Sequence, residues 1–139
     1  MKARKIAGLL AVMLVIALMS CGGAKYDDWV EVNIDFVDAM EEYALSLEKA
    51  SSAKAVADAT NRYADRIKAL APRFKELRNK YPEMKDPGKR PAKLQELEKK
   101  AQNLEQNLTA GFMNMMKYMM DPDVQKAQEK LQAAMAALE

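Results

Sequence analysis

Apolar side chains recur every three or four residues along most of this chain, which is the spacing of one face of an α-helix. The first such stripe falls between residues 27 and 50, and the acidic residues of that segment fall on its opposite side. Asp27 and Asp28 suit a helix N-terminus, where the helix dipole and the free amides favour anions. The pattern therefore predicts a helix over residues 27–50. Its inward positions are Trp29, Val32, Phe36, Met40, Tyr43, Leu47 and Ala50.

A second stripe continues without a break from residue 52 to residue 80, with Ser51 or Ser52 as the N-cap. Its steps alternate between four and three residues, so its period is about 3.5, as in a left-handed supercoil. Pro72 lies midway between two inward positions and should therefore face outward, where it bends the helix without reversing the chain. The inward positions are Val56, Thr60, Tyr63, Ile67, Leu70, Phe74, Leu77 and Tyr81.

Prolines and a glycine concentrated in residues 82–91 mark a loop. A third helical stripe follows, and a fourth helix begins at Asp121, which can act as N-cap because Pro122 suits the first helical position. The inward positions of the third helix are Leu94, Leu97, Ala101, Leu104, Leu108, Phe112, Met115 and Met119. Those of the fourth are Val124, Ala127, Leu131, Met135 and Leu138.

Short turns near Ser51 and Asp121 favour antiparallel packing of consecutive helices. We therefore expect an all-α fold, an antiparallel up-down-up-down four-helix bundle over residues 27–139. A long open coiled coil that dimerises through the same apolar seams is the alternative.

The N-terminal segment has a different character. Lys2, Arg4 and Lys5 precede an uninterrupted apolar run over residues 6–19, and the segment closes with Ser20, then Cys21, which is the single cysteine of the chain. A basic start, a short apolar region and a small residue before the cut are typical of an export signal. With cysteine directly after the cut, the segment resembles a bacterial lipoprotein signal peptide.

That resemblance implies cleavage before Cys21, diacylglycerol on its sulfur and a further acyl chain, such as palmitate, on its new amino group. Residues 1–20 would then be the signal peptide and residues 21–26 a lipidated tether. In that family a residue other than aspartate after the cysteine, here Gly22, goes with sorting to the outer membrane. The expected location is therefore the cell envelope, at the outer membrane and facing the periplasm.

Two other interpretations of this segment remain open. Residues 6–19 could stay attached as a membrane anchor, although about 14 apolar residues fall short of the roughly 20 that span a bilayer. Cys21 could also be a free thiol or half of a disulfide, but the chain holds no second cysteine to pair with it.

Charge and composition narrow the possible functions. Of the 22 Lys and Arg residues, Lys2, Arg4 and Lys5 leave with the signal, so 19 would face 20 Asp and Glu in the mature chain. A nucleic-acid partner is not expected, because such binding needs a basic excess. The chain also lacks histidine, which removes the usual general base at neutral pH and the imidazole ligands of metals. We expect no enzyme, although an enzyme with an unrecognised site stays open.

A second resemblance concerns residues 27–139, which are similar to a cytochrome b562-type four-helix bundle. It is carried by Leu47-Glu48-Lys49-Ala50, by Pro82-Glu83-Met84-Lys85 in the loop and by Gln125-Lys126-Ala127-Gln128. The resemblance implies the bundle fold. The family's haem needs a methionine on the first helix and a histidine on the fourth; this chain offers Val37 or Met40 for the former and nothing for the latter. No cofactor is therefore expected.

Five methionines lie within residues 113–120. Met113, Met116 and Met120 project away from the inward stripe, so this part of the third helix is apolar all round and should be covered on both sides. The fourth helix could fold back over it, with methionine filling irregular gaps. A groove for a partner helix or a lipid tail is the second interpretation. A Cu(I) or Ag(I) site of three thioethers at Met113, Met116 and Met120 is the third.

Charges are segregated along the chain. Residues 27–48 hold eight acids and no base, whereas residues 49–100 hold fifteen bases and seven acids. Neighbouring helices could simply present complementary surfaces. Alternatively, the second helix returns toward a lipidated Cys21 and brings a basic patch to the membrane, where each cation contributes about 1 kcal/mol. The residues of that basic patch are Lys85, Lys89, Arg90 and Lys93.

These patterns together favour a lipid-anchored cell-envelope protein that acts as a non-enzymatic binding or interaction module at the membrane surface. Its partners would be the lipid bilayer, through acylated Cys21, and another envelope protein. The alternative function is a small-ligand or Cu(I)/Ag(I) carrier that uses the methionine-rich end of the third helix.

Overall fold

A computed structural model describes residues 25–139 of the chain, and within this range it is entirely helical, without strands. The signal peptide, Cys21 and most of the tether predicted from the sequence lie outside the described residues. The described helices are α1 (Asp27–Lys49), α2 (Ala53–Lys80), α3 (Ala92–Lys117) and α4 (Pro122–Ala136), with two 3-10 turns, Pro82–Lys85 and Pro87–Lys89, between α2 and α3. The predicted all-α class is confirmed. None of these helices combines the length and the apolar character that crossing a bilayer requires.

The helix ends lie close to their predicted positions because the predicted capping residues form the expected hydrogen bonds. The Ser52 hydroxyl accepts from the Ala55 amide at 3.1 Å, which caps α2. The Asp121 carboxylate accepts from the Asp123 amide at 2.9 Å and caps α4. Pro72 is exposed inside a continuous α2, as predicted.

The helices pair in a less regular way than their order in the chain suggests. α1 packs against both α2 and α3, while α4 packs chiefly against α2. The expectation that each helix packs on its predecessor therefore holds for α1 and α2, but α3 and α4 each pack mainly on the helix two places earlier. Because α1 is flanked on two sides, it also buries Val30, Val37 and Ala39, which lie outside its predicted stripe.

Two apolar clusters form the core. The larger cluster draws on all four helices and includes Tyr43, Leu47, Ile67, Met115 and Val124. The smaller one joins the start of α1 to the end of α2, the first 3-10 turn and α3. Its buried members are Val32, Leu70, Leu77, Tyr81, Met84 and Leu94.

Three predicted inward positions are wrong. Phe112, Met119 and Met135 are 50%, 42% and 41% exposed. The reason for α3 is the close approach of its backbone to α1 at Gly111, where an added Cβ would lie 2.9 Å from the Cβ of Leu47. The contact face of α3 therefore runs through Gly111, and Phe112 lies about 100° away around the helix.

Candidate functional site

The proline-rich loop lies against the first described residues. Glu83, in the first 3-10 turn, pairs with the Lys25 ammonium at 3.1 Å and accepts a hydrogen bond from the Tyr26 hydroxyl at 2.9 Å. The Tyr26 and Tyr81 rings also pack edge to face, with centroids 5.2 Å apart. The loop therefore lies at the end of the molecule where the described residues begin. Cys21 precedes Lys25 by four residues, which reach at most about 14 Å when extended.

A second contact holds the same end together. The Asp28 carboxylate accepts from the Lys80 ammonium at 2.5 Å and from the Tyr81 hydroxyl at 3.2 Å. The hydrogen bond from Lys80 is the main reason that the pKa of Asp28 lies below its usual value. The start of α1 is thus bonded to the end of α2, directly beside the loop.

The four predicted residues of the basic patch do not have equal roles. Lys85, Lys89 and Lys93 are exposed, and Lys89 lies 3.9 Å from Asp86. Arg90 is half-buried: its Nε donates to the Met84 carbonyl at 3.0 Å and its Nη1 pairs with Glu98 at 2.6 Å. Arg90 therefore holds the loop in shape, and the three lysines are the cations available to an outside partner.

Many acids of α1 pair with bases of the neighbouring helices. Asp35 pairs with Arg73 and Glu42 with Arg66, each at 2.5 Å. On the other side of α1, Lys100 of α3 pairs with Glu41 at 2.7 Å. These ion pairs agree with the first interpretation of the segregated charges, in which neighbouring helices present complementary surfaces. They are partly exposed, so each stabilises the fold by only about 0.2–1 kcal/mol.

The methionine-rich segment lies at the opposite end of the molecule. The Tyr118 hydroxyl donates to the Ser51 carbonyl at 2.9 Å, and the Asn114 amide donates to the Glu48 carbonyl at 3.0 Å, so this end of α3 is bonded to the end of α1.

The expectation that α4 covers this segment is wrong, because Met113, Met116 and Met120 are 62%, 49% and 87% exposed. Met115 alone of the five points into the core, at 8% exposure. Since α3 ends at Lys117, Met120 lies in the turn that follows, and the helical spacing of the three thioethers holds only for Met113 and Met116. In residues 25–139 no group of three or more His, Cys, Asp or Glu side chains is placed to hold a metal ion.

A buried polar cluster, which the periodic pattern does not predict, lies within the larger core. The Tyr43 and Tyr63 rings stack with centroids 4.5 Å apart and an interplanar angle of 6°. The Thr60 hydroxyl donates to the Val56 carbonyl at 2.9 Å, which leaves its oxygen to accept from the Tyr43 hydroxyl at 3.2 Å. Thr60 is one of the predicted inward positions, but the periodic pattern does not show which polar side chains form hydrogen bonds with each other in the core.

Burial raises the pKa of the Tyr63 phenol from 10.0 to about 12. In the unfolded chain this group ionises near pH 10, so between pH 10 and pH 12 the unfolded state loses its proton first and stability falls as pH rises. We predict that Tyr63→Phe makes the fall in the free energy of unfolding between pH 9 and pH 11.5 smaller, as measured by urea denaturation. If the free energy of unfolding fell equally in both proteins, Tyr63 would ionise as readily in the folded protein as in the unfolded chain.

Known proteins provide no further guide. No family model, no curated protein and no solved structure matches this chain. Val37 and Met40, the two residues that the cytochrome b562 resemblance offered for a haem-binding methionine, are both buried in the core, at 3% and 7% exposure.

Proposed function

We propose that this chain is a lipid-anchored cell-envelope protein and that its mature part is a non-enzymatic binding or interaction module at the membrane surface. Acyl chains on Cys21 hold it at the outer membrane, facing the periplasm. The observation that carries the proposal is the contact of Lys25 and Tyr26 with Glu83. Since only four residues separate Cys21 from Lys25 along the chain, an anchored protein would present its basic patch to the bilayer.

We further propose that residues 27–139 form an antiparallel four-helix bundle. The order of the contacts supports it. Along α1, Asp28 and Glu42 pair with Lys80 and Arg66, so α1 and α2 run in opposite directions. On this arrangement the methionine-rich end, beside Ser51, is remote from the anchor, and it is the surface that another envelope protein can reach.

The basic patch and the acyl chains would act together. Two or three acyl chains make the attachment stable by themselves, so the lysines would act on the orientation of the bundle and not on its attachment. Lys85, Lys89 and Lys93 supply about 1 kcal/mol each near an anionic surface. Their combined contribution is enough to fix which end of the bundle lies on the headgroups.

Vesicle binding by a non-acylated mature chain, residues 21–139 with Cys21→Ser, tests this proposal. Alanine at Lys85, Lys89 and Lys93 should weaken binding to vesicles of anionic phospholipid by roughly 100-fold, which corresponds to about 3 kcal/mol.

The matched control removes three exposed lysines at the other end, Lys49, Lys117 and Lys126. It should bind nearly as well as the parent in a sedimentation assay. Equal losses in the two triple variants would mean that the loop does not face the membrane.

The exposure of Met113, Met116 and Met120 favours one other candidate function, a Cu(I) or Ag(I) carrier, because thioethers select these soft ions. Leucine at all three positions keeps the apolar character and removes the sulfur ligands. Competitive Cu(I) titration should then show weaker binding than in the parent, while Met135→Leu, at another exposed methionine, should change nothing. Identical affinities in all three proteins would eliminate the carrier.

A further inference from the structure

An aromatic cleft of about 310 Å³ opens between α1, α2 and the residues after α4. Phe74 stands at its centre, edge to face with Trp29 at 6.3 Å and with Phe36 at 6.0 Å between ring centroids. All three rings lie on the predicted inward stripes, yet they are only half-buried. The lining also includes Leu138 and, as its polar members, Asn33 and Arg78.

A basic cleft of about 420 Å³ adjoins it. Its cations are Lys75, Arg78 and Lys85, and Arg78 lines both clefts. The Arg78 guanidinium donates to backbone oxygens of Leu138 and Glu139, the latter at 3.2 Å. Arg78 therefore lies at the boundary, with an aromatic surface on one side and two lysines on the other.

We propose that the joined clefts bind one anionic phospholipid, with an acyl chain against the aromatic rings and the phosphate among the three cations. Ligand sites in proteins are mostly apolar, have volumes of about 300–1,000 Å³ and carry a few polar groups that orient the ligand. Arginine suits the phosphate because its guanidinium carries five N–H donors, and the two that bond Leu138 and Glu139 leave three others for a phosphate. Burial of the acyl chain supplies about 0.8 kcal/mol per methylene.

The position of the clefts agrees with this ligand. Trp29 lies in the first turn of α1, and Lys85 lies in the first 3-10 turn, so both clefts reach the end of the molecule where the described residues begin. The bilayer as the source of the lipid rests on the proposed function. Binding itself does not, because a lipid monomer in solution can reach the same clefts.

The basic cleft also contains Glu139, whose carboxylate repels a phosphate. Removal of this negative charge should therefore change the lipid affinity in a predictable direction. Glu139→Gln should tighten binding of the anionic lipid severalfold, whereas Arg78→Gln should weaken it about tenfold or more.

Trp29 is the single tryptophan of the chain, so its fluorescence reports on the aromatic cleft directly. The probe is lysophosphatidylglycerol with a brominated acyl chain, below its micelle concentration, because bromine quenches tryptophan on contact. The protein in this experiment is the mature chain, residues 21–139 with Cys21→Ser.

We expect the lipid to quench Trp29 fluorescence in a saturable way. The affinity should be at least tenfold weaker for a lipid with a choline headgroup, and millimolar inorganic phosphate should leave the quenching unchanged. Leu138→Glu, which places a carboxylate beside Arg78, should abolish saturation, and Leu45→Glu, at an exposed leucine elsewhere, should not. The proposal would be overturned if quenching did not saturate, or if the two headgroups bound with equal affinity. It would also be overturned if phosphate displaced the lipid, or if Leu138→Glu left the quenching unchanged.

The two proposals fail separately. Lys89 and Lys93 belong to the basic patch but line neither cleft. Alanine at these two positions should weaken vesicle binding and leave Trp29 quenching unchanged. Loss of quenching in this double variant would overturn the assignment of the lipid to the clefts.

Discussion

Replacing Leu47 by alanine is expected to lower the free energy of unfolding by about 2–5 kcal/mol, the range for deleting a buried leucine side chain. Leu47 is 2% exposed and packs in the larger core cluster. It also lies where α3 comes closest to α1, because the missing side chain of Gly111 lets its backbone approach the Leu47 Cβ. A glycine opposite cannot fill the cavity, so we expect a value in the upper part of the range.

Leu45→Ala is the matched control, since it makes the same chemical change two residues away on the same helix. Leu45 is 47% exposed, so its replacement should cost no more than about 0.5 kcal/mol. Urea denaturation followed by circular dichroism measures both. Similar costs for the two variants would contradict the packing of α3 on α1 at this point.

Replacing Cys21 by serine is expected to have the largest effect on location. Serine has no sulfur for a thioether to diacylglycerol, so the proposed acyl chains could not be attached. Each buried methylene contributes about 0.8 kcal/mol, and two or three chains contribute far more than three exposed lysines. Fractionation of the native host should therefore find the parent in the membranes and the released Cys21→Ser protein free of them.

Ser20→Ala is the control for that experiment, because alanine keeps a small residue before the expected cut and leaves the cysteine in place. It should remain with the membranes. If Cys21→Ser stayed there to the same extent as the parent, residues 6–19 would be acting as an uncleaved anchor instead.

The helices with the strongest period are the ones whose structure the sequence predicts best. On α2 every predicted inward position is buried except Phe74, which is half-buried, and even the polar Thr60 is fully buried. A long stripe with one spacing leaves a single possible face, and the Ser52 cap defines where the helix begins. Local pattern and tertiary packing agree there.

On α3 the same reasoning fails because two faces are apolar. Met115 is buried as the stripe predicts, but the contact with α1 runs through Gly111 and leaves Phe112 exposed. Met119 lies beyond the end of α3 at Lys117. The choice of contact face depends on a pairing between distant segments, which local periodicity does not contain. Met135 on α4 is exposed in the same way, while Ala134 beside it is buried.

The candidate site was predictable as a loop rich in cations, but its contacts were not. Nothing in the local pattern shows that Glu83 meets Tyr26, or that Arg90 turns to Glu98 and leaves three lysines exposed. The clefts that meet at Arg78 join residues more than 100 positions apart in the chain, such as Trp29 and Leu138. Such sites exist only once the helices have packed.

The intact mass of the protein purified from the membranes of its native host tests the lipid anchor most directly. We expect a chain that begins at Cys21 and carries the added mass of a diacylglycerol and an acyl group, and we expect the fragment around Cys21 to bear all of that mass. A mass that includes residues 1–20, or an unmodified Cys21, would contradict the anchor and with it the orientation of the basic patch toward the membrane.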